Sequence, residues 1–389
     1  MIYLDWNATA PPHEDVCTAV AQALATSWGN AASVHRVGQR ARQHFDAARA
    51  ELAALVGRHP RDVLFTSGGT EANNLALRSP FAGTRRGVLI VSAIEHPSVL
   101  EPARALEREG VRLHIVPPEP DGRIAVTRIA AALDGLAPAD GPVLVSLQAV
   151  NHETGVLQPV HEVTALAHDR RALVHVDAVQ AAGKLDPRLW DAADFVVVAS
   201  HKLRGPKGIG ALVTLSASDL QPLLRGGSQE RGLRPGTQDA ALAAGFRVAC
   251  ARASARPLVD AETEALRDRL EVELVRLGER HGARVHRNGT AKRLGSVANV
   301  SVCGWRGPEL AAALDLEGVA ISSGSACSAG SAEPSSVITA MLGRARAESA
   351  VRISLGQATT EGDVDFALAA FDRALARGGA ERTSGSGDG

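Results

Sequence analysis

Two hydrophobic rhythms divide the chain. From about position 62, short runs of apolar and β-branched residues fall at 63–65, 88–93, 111–116, 143–150, 173–176 and 195–199. Runs of that length read as strands buried on both faces. The stretches between them carry apolar residues at helical spacing, over 71–78, 97–110 and 159–170. Pro97 suits a first helical turn, where a missing N–H costs nothing. This βαβα order predicts an α/β fold with a mostly parallel, seven-stranded-type sheet flanked by helices. Ahead of it, 14–57 reads as helix interrupted by the small, polar loop 28–33.

After about 255 the texture changes. A charged amphipathic helix is expected over 259–281, strands at 283–286 and 296–303, a helix at 307–314 and a strand at 351–355. Thr360 and Asp363 have the spacing of a capping box before a last helix. These features predict a large domain over 15–255, a smaller α+β domain built from 1–14 and 256–377, and a Gly/Ser-rich disordered tail over 378–389.

Charge and composition narrow the function. With 42 basic and 43 acidic residues the net charge is −1, so no excess charge exists to hold a polyanion, and direct nucleic-acid binding is not expected. No apolar run reaches the roughly 18 residues of a membrane helix. The start has neither a basic n-region nor an apolar h-region, and the four cysteines form no CxxC pair, which together point to a reduced, cytoplasmic setting without a zinc knuckle.

In an open parallel sheet, ligands sit beyond the carboxyl ends of the strands. Five expected strand ends are followed by polar groups: Ser67-Gly68-Gly69-Thr70, Glu95-His96, Asn151, Asp177 with Gln180, and Ser200-His201-Lys202. The Ser-Gly-Gly-Thr turn lies between strand and helix, where backbone amides and the helix N-terminus suit a phosphate; a tight turn capped by Thr70 fits equally. Asp177 ends an apolar run and needs a cationic partner such as a protonated pyridine nitrogen, an arginine serving as well. Lys202 follows the apolar run 195–199, where burial favours a neutral, imine-forming amine. Lys207, in a Gly/Pro turn, is its rival, and Lys184 and Lys292 read as surface lysines. Arg352 on a second-domain strand suits bidentate capture of a carboxylate. Cys327 lies in a small, polar run, 322–331, that suits an exposed loop, whereas Cys17, Cys250 and Cys303 read as buried and inert.

A phosphate turn, a ring-nitrogen carboxylate and an imine lysine together describe a pyridoxal phosphate site. Over nearly the whole chain, the sequence resembles the cysteine desulfurases, fold-type I pyridoxal-phosphate enzymes. The resemblance is carried by Phe65-Thr66-Ser67-Gly68-Gly69-Thr70-Glu71, Glu95-His96, Val150-Asn151, His175-Val176-Asp177-Ala178-Val179-Gln180, His201-Lys202, Gly205-Pro206-Lys207-Gly208, Gly236-Thr237, the 322–327 loop and Arg352 with Ser354-Leu355-Gly356. It implies an aminotransferase-like fold and a set of roles. Lys202 holds pyridoxal 5'-phosphate as an imine and moves protons, and His96 stacks on the ring. Asp177 meets the ring nitrogen, Gln180 the ring hydroxyl, and Asn151 the cofactor or substrate carboxylate. Gly69, Thr70 and His201 bind phosphate. Thr237 does so from a neighbouring subunit, which makes the enzyme a homodimer. Arg352 grips the carboxylate of L-cysteine, and Cys327 takes its sulfur as a persulfide, leaving L-alanine and passing the sulfur to an acceptor protein.

Three positions depart from the family pattern. Ala199 stands where a serine is usual, so that Ser200 becomes the candidate phosphate donor; His152 replaces the second of two asparagines; Gln357 replaces a basic residue. Iron–sulfur assembly, tRNA thiolation and DNA phosphorothioation all remain open as destinations. A selenocysteine lyase, another pyridoxal-phosphate lyase or aminotransferase, and a non-catalytic sulfur-relay subunit are the rival readings.

Overall fold

The computed structural model describes residues 1–84, 86–215, 220–324 and 333–384. Twelve strands are described: β1 (Ile2–Tyr3), β2 (Val63–Thr66), β3 (Val88–Ser92), β4 (Arg112–Val116), β5 (Val143–Ser146), β6 (Leu173–Asp177), β7 (Phe195–Ala199), β8 (Gly210–Thr214), β9 (Val285–Arg287), β10 (Val297–Val302), β11 (Val319–Ala320) and β12 (Ala350–Ser354). Seven of them form one sheet in the order β2-β8-β7-β6-β5-β3-β4. β4, β3, β5, β6 and β7 run parallel. β8 is antiparallel to both β7 and β2, which leaves β2 pointing the same way as the parallel set. The carboxyl ends of β2, β3, β5, β6 and β7 therefore share one edge of the sheet.

All five residues of β3, β7 and β8 are buried, which is why their sequences are dominated by apolar residues, with Ser92 and Thr214 as the polar exceptions at strand ends. Alternate side chains enter separate cores. Val196 and Val198 join the cluster that includes Phe45, Ile90 and Phe246, while Phe195 and Val197 join Leu75, Leu89 and Leu106 on the opposite face. A third core gathers Leu4, Leu270, Val300, Ile353 and Phe371 around the three-stranded sheet β12-β10-β9. The N-terminal segment ties the parts together: β1 pairs with β11, and Asp5 bridges to Ser354.

Several elements depart from the sequence expectation. β8 is not among the expected strands: the sequence reading assigns no element to 210–214, where the chain returns after the Gly-Pro turn as a strand antiparallel to β7. β4 is an edge strand with exposed Arg112 and Ile115, so its run is not that of a doubly buried strand. The run at 143–150 forms a strand only to Ser146, after which the chain turns to deliver Gln148 and Asn151. The last helix, Glu361–Ser384, continues through 378–384, where irregular chain was expected; once a helix is nucleated, each further residue adds a hydrogen bond at little cost. Cys250 is buried as expected, but Cys17 and Cys303 are exposed, one on the solvent side of the helix Glu14–Thr26 and the other just past β10.

Candidate active site

A cavity of about 410 Å³ opens at the carboxyl edge of the large sheet. Its walls include Gly69, Thr70, His96, Asp177, Gln180, Ala199, His201, Lys202 and Arg352, so most of the residues singled out in the sequence converge there.

The Gly69–Arg78 helix begins at this cavity with no side chain capping it. Its first-turn amides have no intrahelical acceptors and suit an anion. The turn can lie this close to the sheet because Gly210 on β8 has no side chain: a Cβ there would sit 2.7 Å from the Gly68 Cα. Glu71 accepts from the Ser67 amide at 2.8 Å and from Arg234 Nε at 3.1 Å, which holds the turn from behind.

Asp177, at the end of β6, accepts from the Val179 amide at 3.0 Å and from Asn73 Nδ2 at 2.9 Å. Asn73 organises the floor of the site. Its Nδ2 also donates to Ser98 Oγ at 2.8 Å, and its Oδ1 lies 3.0 Å from His175 Nε2. Ser98 Oγ, whose lone pair takes the Asn73 proton, donates its own proton to His96 Nδ1 at 2.8 Å. The Ser98 amide shares that nitrogen at 3.1 Å, making His96 the N-cap of the Pro97–Arg108 helix. A nitrogen that accepts twice carries no proton, so neutral His96 is protonated at Nε2. Burial pulls its pKa below the usual range, aided by Lys202 and Arg352 and opposed by Asp177. His175 is held at about 4 by burial and stays neutral.

Lys202 Nζ donates to the carbonyls of Asn7 at 2.5 Å and Ala8 at 2.8 Å. Gln180 Nε2 donates to the same Asn7 carbonyl at 2.9 Å. His201 Nδ1 lies 3.2 Å from Thr9 Oγ1, and burial with the nearby lysines pushes its pKa down to about 4. Arg352 is buried, with Nη2 on Asp5 Oδ1 at 2.7 Å and Nη1 on the His152 carbonyl at 3.1 Å. Its Nε is buried and without a hydrogen-bond partner among the described residues. His152 lines the cavity edge-on to His96 at 5.2 Å between centroids; burial, then His96 and Arg352, press its pKa well below the usual value.

Four sequence expectations fall elsewhere. Asn151 does not line the cavity: its Oδ1 accepts from the Glu153 and Thr154 amides and the Thr154 hydroxyl, and its Nδ2 donates to Ile94, so it shapes the loop. Ser200 Oγ is buried with no hydrogen-bond partner among the described residues, on the side of Gly205 rather than of the cavity, because successive side chains at a strand end alternate in direction. The cavity wall at this point is Ala199, which offers no donor. Thr237 is exposed and outside the cavity. Cys327 lies outside the described residues; Gly324 and Ser336, on either side of it in the sequence, line the cavity.

Other functional groups escaped the sequence reading. Asn7 and Asp5 come from the N-terminal segment, where no periodicity marks them. Lys184 is half-buried rather than a surface lysine, and donates to Gln180 Oε1 at 2.9 Å. Burial, then Lys202 and Arg352, lower its pKa to about 7. Among the described residues no cluster of three His, Cys, Asp or Glu side chains is placed to hold a metal.

These residues fit pyridoxal phosphate by chemistry: a primary amine, a carboxylate fixed from two sides, an uncapped helix start and an arginine with a buried, unpartnered Nε. Comparison with known proteins agrees. The pattern of the family described as aminotransferase class-V matches residues 2–366. A "Cysteine desulfurase IscS" of Shewanella halifaxensis is 38% identical over 378 residues, covering 94% of this chain and 91% of the relative. Among solved structures, a "NifS-like protein" superposes with a TM-score of 0.85 at 31% identity, over 97% of this chain and 99% of the other. A structure titled "SspA in complex with cysteine" does so at 0.78 and 30%, over 91% and 99%. The chain belongs to the class-V aminotransferase family and, within it, to the cysteine desulfurases.

Proposed function

We propose that this protein converts L-cysteine to L-alanine and carries the released sulfur as a persulfide on Cys327. Pyridoxal 5'-phosphate, when bound, supplies an electron sink for cleavage of the substrate C–S bond. The observation that carries the reading is the meeting of Lys202 Nζ with Asn73-anchored Asp177 in one cavity lined by Arg352.

The chain's own residues divide the work. Gly69 and Thr70 would hold the phosphate on the helix start, beside His201. Asp177 would meet the ring nitrogen, its carboxylate kept in place by Asn73 and the Val179 amide. Lys202 offers the amine, steadied by the Asn7 and Ala8 carbonyls. His96, neutral and protonated at Nε2, has a proton to give at the ring face, and burial keeps it from charging. Arg352, braced by Asp5, would grip the substrate carboxylate. In the net change, the cysteine sulfur leaves its carbon and joins the Cys327 sulfur, and one proton replaces it on what becomes alanine.

The enzyme is read as a cytoplasmic homodimer. The exposed position of Thr237, outside the active-site cavity of its own chain, supports a partner subunit. No described helix is long and apolar enough to cross a membrane. The sulfur goes to an acceptor protein, with iron–sulfur assembly, tRNA thiolation and DNA phosphorothioation as the candidate destinations. Substituting Cys327→Ser and assaying alanine and sulfide tests the transfer step: turnover should collapse, and undiminished turnover would remove the thiol from the reaction.

A further inference from the structure

Lys184 stands out among the lysines. It is half-buried, and no ion pair to it is formed among the described residues, although an uncompensated ammonium is costly to desolvate. Its backbone is pinned. Gly183, at φ +70°, packs so tightly that a Cβ would come within 2.9 Å of Ala253 Cβ and Leu203 Cδ2, and the Gly183 carbonyl accepts from the Leu258 amide at 2.8 Å. The turn thus delivers the side chain to one target, Gln180 Oε1, at 2.9 Å. The charged and titratable groups facing it are Lys202, Arg352 and His201, with Arg204 lining the same small cavity behind Lys202.

We propose that Lys184 is a positioning residue that fixes the orientation of the Gln180 amide and, through it, the proton affinity of the Lys202 centre. The proposal rests on the pyridoxal-phosphate reading above. An amide has one accepting end and one donating end, and Lys184 in its ammonium form, which it holds below a pH of about 7, can only donate. The end of Gln180 that meets Lys184 must therefore be Oε1. Nε2 is then turned to the Asn7 carbonyl, which also accepts from Lys202 Nζ. Nε2 has a second N–H, and Gln180 lines the main cavity. With the amide locked, that side of the cavity presents a donor. Flipped, it would present an acceptor, and Oε1 would oppose the Asn7 carbonyl oxygen. A donor aimed at the ring oxygen of the cofactor favours its ionised form and lowers the affinity of the adjacent nitrogen for a proton. Asn7 is the shared node: its carbonyl holds Gln180 Nε2 and the amine of Lys202 together.

The test is a pH titration of the bound cofactor's absorbance in the intact enzyme. Replacing Lys184 by methionine removes one of the two contacts that hold the amide, leaving only the Asn7 carbonyl to orient it, so K184M should raise the titration midpoint by about one unit, a roughly tenfold gain in proton affinity expected for one weakened directed hydrogen bond. K184R, which can still only donate, should restore the midpoint. In a Q180A background, K184M should add no further shift. K184Q is the second variant should K184M not fold; its side chain can accept as well as donate, so it too should raise the midpoint. An unchanged midpoint in the folded variants, or an equal shift in the Q180A background, overturns the proposal. A wild-type enzyme that binds no pyridoxal phosphate, or binds it away from Lys202, would instead overturn the reading on which it rests.

Discussion

Replacing Asn73 by alanine should damage stability and cofactor binding together. Asn73 is 1% exposed and makes three hydrogen bonds, to Asp177, Ser98 and His175. The bond to a carboxylate contributes about 1.5–3 kcal/mol and each neutral bond about 1. The three together come to about 3.5–5 kcal/mol. The cavity adjoins Asp177 and Ser98, so water can reach those two partners once the amide is gone, whereas His175 is fully buried and keeps an unpaired Nε2. That places the loss near the lower end, about 3.5 kcal/mol. Asp177 also loses one of two contacts that aim it, and Ser98 loses the donor that turns its own proton toward His96. Urea denaturation of the apo-protein reads the first effect, and cofactor titration the second, with an expected weakening of about tenfold or more. A stability change below about 0.5 kcal/mol, with an unaltered cofactor dissociation constant, would refute the role assigned to Asn73.

Two further perturbations follow from buried charge. His175 titrates at about 4 when folded and near 6.5 when unfolded, so between those values the unfolded chain binds more protons. Stability should therefore fall as pH drops from about 6.5 to 4, by roughly 3 kcal/mol from this residue, and H175Q should flatten that slope when denaturation midpoints are followed across the range. Glu230, 2% exposed in its side chain, accepts from both Arg49 terminal nitrogens, the Phe65 amide on β2 and Gln238 Nε2. Removing one partner of a buried pair costs about 3–5 kcal/mol, and the partial exposure of Arg49 points to the lower figure. E230A should accordingly lower the denaturation midpoint and loosen the segment that carries Thr237, read as faster proteolysis between 226 and 238; an unshifted midpoint would show the pair to be dispensable.

The legible and illegible parts of this molecule differ in kind. Apolar runs announced β3, β6 and β7 because strands buried on both faces cannot hide their composition. The residues at their ends were legible too: His96, Asp177 and Lys202 each follow such a run, and the geometry brings all three into one cavity. What escaped depends on contacts between distant parts of the chain. Asp5 and Asn7 become site residues because β1 joins β11 and lays the next few residues against Lys202 and Arg352. Asn73 sits inside a helix pattern that gives no sign of three polar partners. Lys184 looked solvated because its sequence neighbours form a turn, and only the packing of Gly183 turns it inward. Ser200 shows the reverse error: one residue of displacement along a strand end moved the hydroxyl from the cavity wall to its far side.

The most direct measurement is borohydride reduction of the purified enzyme followed by peptide mass spectrometry. The account predicts one pyridoxyl label per chain, on the peptide that contains Lys202. A label on Lys184 or Lys207, or none at all, would contradict it.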